Sequence, residues 1–172
     1  MTHPVEARLK RALDRPSGPS SDFDLNPAIR PLTGKALRPA AVLVPIWLRP
    51  EGAVLILTKR SSHLKHHPGQ IAFPGGKLDP TDASLEAAAL RETQEEIGLP
   101  PDCVQILGTL PPHETVTGFL VTPVVALVEP GFTLTLARQI KIVETYPDVI
   151  ASGILLLPTG MKPDEKRPVV VC

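Results

Sequence analysis

Residues 84–97 constrain the fold more tightly than any other stretch. The run Ser84-Leu85-Glu86-Ala87-Ala88-Ala89-Leu90-Arg91-Glu92-Thr93-Gln94-Glu95-Glu96-Ile97 has helical periodicity, with Leu90, Thr93 and Ile97 spaced to face a core. Asp82 or Ser84 can cap its start, and Gly98 supplies a left-handed position after its end, before Pro100-Pro101. On such a helix Glu92, Glu95 and Glu96 fall at i, i+3 and i+4 and share a face turned away from the core. Like charges at that spacing cost a few tenths of a kcal/mol per pair, so the arrangement makes sense mainly if a cation sits over it. A divalent metal is the obvious candidate. The plainer reading, a solvated charged face, is the usual explanation of several glutamates on one helix. The glycines upstream weigh against it.

With 172 residues, 42% of them hydrophobic, the chain can bury the core of one domain. An N-terminal arm or linker is expected over residues 1–38, the folded domain over 39–157 and a tail of little order over 158–172. Eighteen basic and eighteen acidic residues cancel, so no overall field draws in nucleic acid or an anionic membrane, and small-molecule partners are expected. Two cysteines, Cys103 and Cys172, are too few for a disulfide framework and fit a reducing compartment. The first residues lack an apolar signal core, and no apolar run approaches the length of a membrane span. A cytoplasmic location is expected.

Residues 4–14 read as a short basic helix, and Pro16 to Ser21 as a break in regular structure. Ala41–Leu48 and Ala53–Thr58 are β-rich apolar runs joined by Arg49-Pro50-Glu51-Gly52, which predicts a hairpin. Ser61 to Gly76 reads as a long polar loop. Val104–Leu110 and Phe119–Val128 are further strands, the second apolar enough to be buried on both faces. Thr133–Leu136 and Gln139–Val143 alternate like strands, and Val149–Leu157 is apolar. The expected class is α/β (α+β), a mixed sheet sandwiched between helices.

The stretch Gly76 to Leu99 resembles the signature of the Nudix hydrolases: G, five residues, E, seven residues, REU, one residue, EE, one residue, GU, where U is bulky and aliphatic. Arg91-Glu92, Glu95-Glu96 and Gly98-Leu99 match it. Asp82 stands where the first glutamate is expected, eight residues rather than seven precede Arg91, and Thr93 takes the first aliphatic position. Upstream, Ile56-Leu57-Thr58-Lys59-Arg60-Ser61, Lys65, Gly69 and Phe73-Pro74-Gly75-Gly76 resemble a second pattern, typical of coenzyme A pyrophosphatases in this superfamily. That pattern reads LLTxRS, then R, G and FPGG at intervals of three residues, and an Asp such as Asp82 commonly precedes its shifted helix. Lys65 in place of arginine exchanges a planar fork for a point charge. The likeness extends from about Arg38 to Pro130 and gives out after about Leu136, which implies an atypical, shortened or frameshifted C-terminus.

The resemblance implies a Nudix fold and a metal-dependent hydrolase of nucleoside diphosphates, with coenzyme A or its thioesters as the leading substrate. A sugar nucleotide or dinucleotide is the alternative substrate class, and a catalytically impaired nucleotide-binding module the alternative role. Magnesium or manganese is the implied ion. Glu92, Glu95 and Glu96 are the implied metal ligands, any of the three can orient or deprotonate the attacking water, and Arg91 orients the glutamates. Arg60, Lys65, Gly75 and Gly76 are the implied substrate-binding residues. His63, His66 and His67 look like metal ligands, yet no second set completes a zinc site, so a solvated loop is expected. His113 and Glu114, beside Pro111-Pro112, read as an ordinary turn. Cys103 reads as a packing residue.

Overall fold

The computed structural model describes residues 4–24, 27–29, 36–50, 52–59, 71–129 and 153–156. Helix α1 (Pro4–Leu13) is followed by strands β1 (Ser20–Ser21), β2 (Arg38–Arg49), β3 (Gly52–Lys59), β4 (Ile71–Ala72) and β5 (Gly75–Lys77). Helix α2 (Leu85–Ile97) precedes β6 (Val104–Thr109), β7 (His113–Glu114), β8 (Phe119–Val128) and β9 (Gly153–Leu156). All the strands join one mixed sheet, with β1-β7-β8-β2-β3-β4 as its main path and β5, β6 and β9 on β2, β8 and β3.

The sheet is organised around β2. It runs parallel to β8 from Arg38↔Phe119 to Trp47↔Val128. Its other edge is divided: β5 covers Ala40 to Val42, and the β3 hairpin covers Ile46 to Arg49. Pro45 falls in the gap. Leu43 two residues earlier donates its N–H toward that edge, to Pro74 O at 2.8 Å, so the N–H that Pro45 lacks belongs where neither strand offers an acceptor.

Side-chain alternation along β2 and β8 builds two apolar layers. Ala41, Leu43, Val124, Ala126 and Val128 pack with Ala89 and Ile97 of α2. Ile46, Val125 and Leu127 form the other layer, against which Leu9 and Leu13 of α1 pack. The expected arrangement of a mixed sheet between helices is therefore present. Burying a residue such as Leu43 contributes about 1.5–3 kcal/mol. Cys103 packs against the first layer, as a small apolar residue would.

α2 begins and ends where the sequence predicts. Ser84 caps it, its side chain accepting from Ala87 N at 3.2 Å, a contact worth about 1 kcal/mol. Gly98 closes it at φ 68°, donating to Gln94 O at 2.9 Å. The buried stripe differs in detail from Leu90, Thr93 and Ile97: Ala88 and Ala89 are fully buried beside Thr93 and Ile97, while Leu90 is half-buried. Small residues let the helix lie close to the sheet. Thr93, at an aliphatic position of the signature, satisfies its buried hydroxyl by donating to Ala89 O at 2.6 Å.

Four short strands correct the sequence reading. Ser20 and Ser21 lie within a stretch expected to lack regular structure, yet they pair in parallel with His113 and Glu114. His113 and Glu114 are accordingly a strand and not a turn, paired on their other side with β8. The supposed loop Ser61–Gly76 contains β4 and the start of β5, while residues 60–70 lie outside the described residues. Of the C-terminal expectations, Gly153–Leu156 forms β9 parallel to β3. Thr133–Leu136, Gln139–Val143 and the tail 158–172 lie outside the described residues.

Candidate active site

The site is assembled by the contact of β5 with α2. Gly75, at φ 153°, lies so near β2 that a Cβ there would overlap Ala41 O and Val42 Cα. A Cβ on Gly76 would sit 2.5 Å from the Glu92 carboxylate. Both glycines are thus required by close approach, the first to backbone and the second to a charged side chain.

Glu92 and Glu96, one helical turn apart, both reach this strand. Glu92 is tucked against Gly76 with its side chain 19% exposed, and Glu96 accepts from Gly75 N at 3.3 Å. Glu95 behaves differently. Its side chain is 61% exposed and meets Arg91 at 3.4 Å.

Arg91 is the hub. Nε and Nη2 bind the two oxygens of Asp82 at 2.9 and 3.0 Å, and Nη1 reaches Glu92 at 3.1 Å and Glu95 at 3.4 Å. Asp79 lies 3.6 Å from Nη2, and Lys77 Nζ lies 3.3 Å from the other Asp79 oxygen. Asp82, its side chain 5% exposed, also accepts from Asp79 N at 2.8 Å and so closes the turn before α2. The Arg91 guanidinium, then the Asp79 amide, hold the Asp82 carboxyl below its usual range. Asp82 and its companions in turn push Arg91 above its usual range. Asp82 is therefore not the helix cap; it anchors the arginine. The signal for this was its place where the signature carries a glutamate, with five residues between it and Gly76.

Of the residues singled out by sequence, the structure brings together Glu92, Glu96, Arg91, Gly75 and Gly76, with Glu95 at the rim. Arg60, Lys65, His63, His66 and His67 lie outside the described residues. Among the described residues no three acidic, histidine or cysteine side chains converge on one point. Two carboxylates a turn apart, held against a strand whose glycines permit their close approach, suit a hard cation that takes oxygen ligands and retains waters. The donor set fits.

A NUDIX domain family model matches residues 37–144. A Salmonella dublin protein named uncharacterized Nudix hydrolase NudL is 56% identical over 142 residues, 73% of each chain. An Enterobacter protein of the same name is 60% identical over 93 residues, 54% of this chain but only 48% of that relative, so the chain spans about half of its length. The chain belongs to the Nudix hydrolase family. Members of this family generally use divalent metal ions.

Among solved structures, a Nudix hydrolase from M. smegmatis, RenU, aligns with TM-score 0.48 at 26% identity, covering 59% of this chain and 67% of its own. A C. elegans Ap4A hydrolase aligns with TM-score 0.47 at 23% identity, covering 59% and 75%. No described helix is long and apolar enough to cross a membrane.

Proposed function

We propose that the chain hydrolyses the diphosphate of coenzyme A or an acyl-coenzyme A, giving adenosine 3′,5′-bisphosphate and the (acyl-)4′-phosphopantetheine. The observation that carries the reading is the convergence of Glu92 and Glu96 on the Gly75–Gly76 strand. The coenzyme A assignment adds to it the upstream run from Ile56 to Gly76.

Glu92 and Glu96 would hold magnesium or manganese, with Glu95 as a further ligand at the rim, and the ion would supply neutralising charge at the diphosphate and a more acidic water. Gly75 and Gly76 let the backbone approach the diphosphate, since neither carries a Cβ. Arg60 and Lys65 grip substrate phosphates. Arg91, fixed by Asp82, keeps Glu92 directed at Gly76 and Glu95 within reach. One of the three glutamates takes the proton of the water that attacks phosphorus as the phosphorus–oxygen bond breaks.

The test is chromatographic detection of adenosine 3′,5′-bisphosphate released from coenzyme A with magnesium or manganese, then with chelator. Chelator-sensitive release is expected. Release from a sugar nucleotide or dinucleotide but not from coenzyme A would move the assignment to another nucleoside diphosphate. Binding without turnover of any of them, in a sample that melts cooperatively, would make the chain a nucleotide-binding member of the family.

A further inference from the structure

At the end of β2 nearest β5, Arg38 is held in an unusual way. Its guanidinium lies 4.0 Å over the Phe119 ring, and its Nη2 donates to Thr117 O at 3.3 Å. Its backbone N–H donates to Gly118 O at 3.0 Å. The side chain is exposed, and no carboxylate pairs with it among the described residues. Arg91 spends its donors on carboxylates; Arg38 keeps most of its five for a ligand.

The turn that fixes Arg38 is itself pinned. Asp22 accepts from Val116 N at 2.8 Å and contacts His113 Nε2 at 2.9 Å. Ser20 Oγ lies 2.8 Å from His113 Nδ1. These are the residue types of a hydrolytic triad, but the neighbouring amides are already used. Ser20 N donates to Pro112 O, Ser21 N to Asp24, Asp22 N to Glu114 O and Phe23 N to Ser21 Oγ. They cannot also stabilise an oxyanion. The relay instead fastens residues 20–24 to the turn Thr115–Gly118, with Phe23 buried at 4% exposure as its anchor.

We infer that Arg38 reads a second anionic group of the substrate, a phosphate monoester outside the scissile diphosphate, and that Asp22 is a positioning residue acting through the 115–118 turn. A planar, stacked guanidinium is suited to two parallel hydrogen bonds with phosphate, and prior immobilisation lowers the entropy lost on binding. The location fits. β5 pairs with β2 as far as Ala40, and Leu78 N donates to Pro39 O. Arg38 is the next residue, about 10 Å along the strand from the residue opposite Gly76 at the usual rise per residue. This rests on the nucleotide reading above but not on turnover.

The test is calorimetric titration of the full chain with adenosine 3′,5′-bisphosphate and with adenosine 5′-monophosphate. The bisphosphate is expected to bind about tenfold more tightly, as one charge-assisted contact provides. That ratio should collapse toward unity in Arg38→Ala and shrink in Asp22→Ala, with the double variant no worse than Arg38→Ala alone. Phe119→Leu, which removes the stacking surface without the charge, supplies a second variant if Arg38→Ala fails to fold. An unchanged ratio in a folded variant would overturn the inference, as would equal loss for both nucleotides. Coenzyme A turnover with an Arg38-independent ratio would leave the hydrolase reading standing and remove this one; an Arg38-dependent ratio without turnover would do the reverse.

Discussion

Two carboxylate networks lie in this molecule, and they are satisfied in different ways. In the first, Asp79, Asp82, Glu92 and Glu95 divide the donors of one guanidinium, Arg91. In the second, each acid has a donor of its own: Asp22 has the Val116 amide and His113, Asp24 the Ser21 amide, Glu114 the Ser21 hydroxyl. A guanidinium offers five N–H donors, whereas a single carboxylate offers about four acceptor sites. Even with Lys77 on Asp79, the first network keeps a surplus of negative charge, and it does so against strand glycines that lack side chains. The second fastens chain to chain. Charge that is oriented but not neutralised marks a site awaiting a cation.

The sharpest way to break that contrast is Glu96→Gln. An amide cannot supply the charge a cation needs, so metal-dependent turnover should fall on the order of 10²–10³-fold. The thermal midpoint should stay close to that of the parent. Unchanged kcat would mean that the surplus is a solvated face.

Asp82→Ala comes next. It releases Arg91 from its bidentate anchor and should lower turnover and metal affinity by about 10–100-fold, the usual scale for partners that orient ligands. Metal titration followed by activity checks it, and full activity at ordinary metal concentration would relegate Asp82 to closing its turn.

Gly76→Ala should displace the Glu92 carboxylate, which lies 2.5 Å from the added carbon. Expected are about a tenfold fall in kcat, one lost contact's worth, and overpacking of about 1–3 kcal/mol in a denaturant melt. A stability loss without the fall in kcat would place Glu92 outside the chemistry.

The smallest effect concerns acid. Both Asp22 and Asp82 have carboxyls held below the usual value of 3.8, by the Val116 amide first and then His113 in one case, and by Arg91 first in the other. A depressed folded pKa stabilises above the unfolded value, and the contribution disappears as pH falls through the folded one. Both networks should therefore be intact at pH 5 and loosen below about pH 4. Hydrogen exchange at the Val116 and Asp79 amides, which donate to these two acids, reads each network separately. Flat exchange at either amide down to pH 2 would show that its acid is dispensable to the fold.

The sequence carried α2, the hairpin and the two longer strands after it because each spans enough residues for a period to register. It did not carry β1, β4, β5 or β7. Two or three residues define no alternation, and a strand containing Gly75 and Gly76 has few side chains to alternate. The acidic face was legible from spacing alone, but spacing assigns a face and not a direction. Glu95 shares the face of Glu92 and Glu96, yet turns toward Arg91 and solvent. Asp82 was visible as a departure from the signature, and its partnership with Arg91 depends on how the turn at Asp79–Asp82 folds back. Arg38 was legible only as the start of the family likeness, because its contacts are with Phe119 and Thr117, far away in the chain.

The long parallel pairing of β2 with β8 also governs how the molecule can be built. Its partners, from Arg38↔Phe119 onward, are about 80 residues apart, so a large loop must close before the pairing returns any free energy. The β2–β3 hairpin and α2 need no such closure and can form on local contacts. The floor beneath both apolar layers is thus a late event, and until β8 arrives the apolar flank of β2 is an open edge inviting association with another chain.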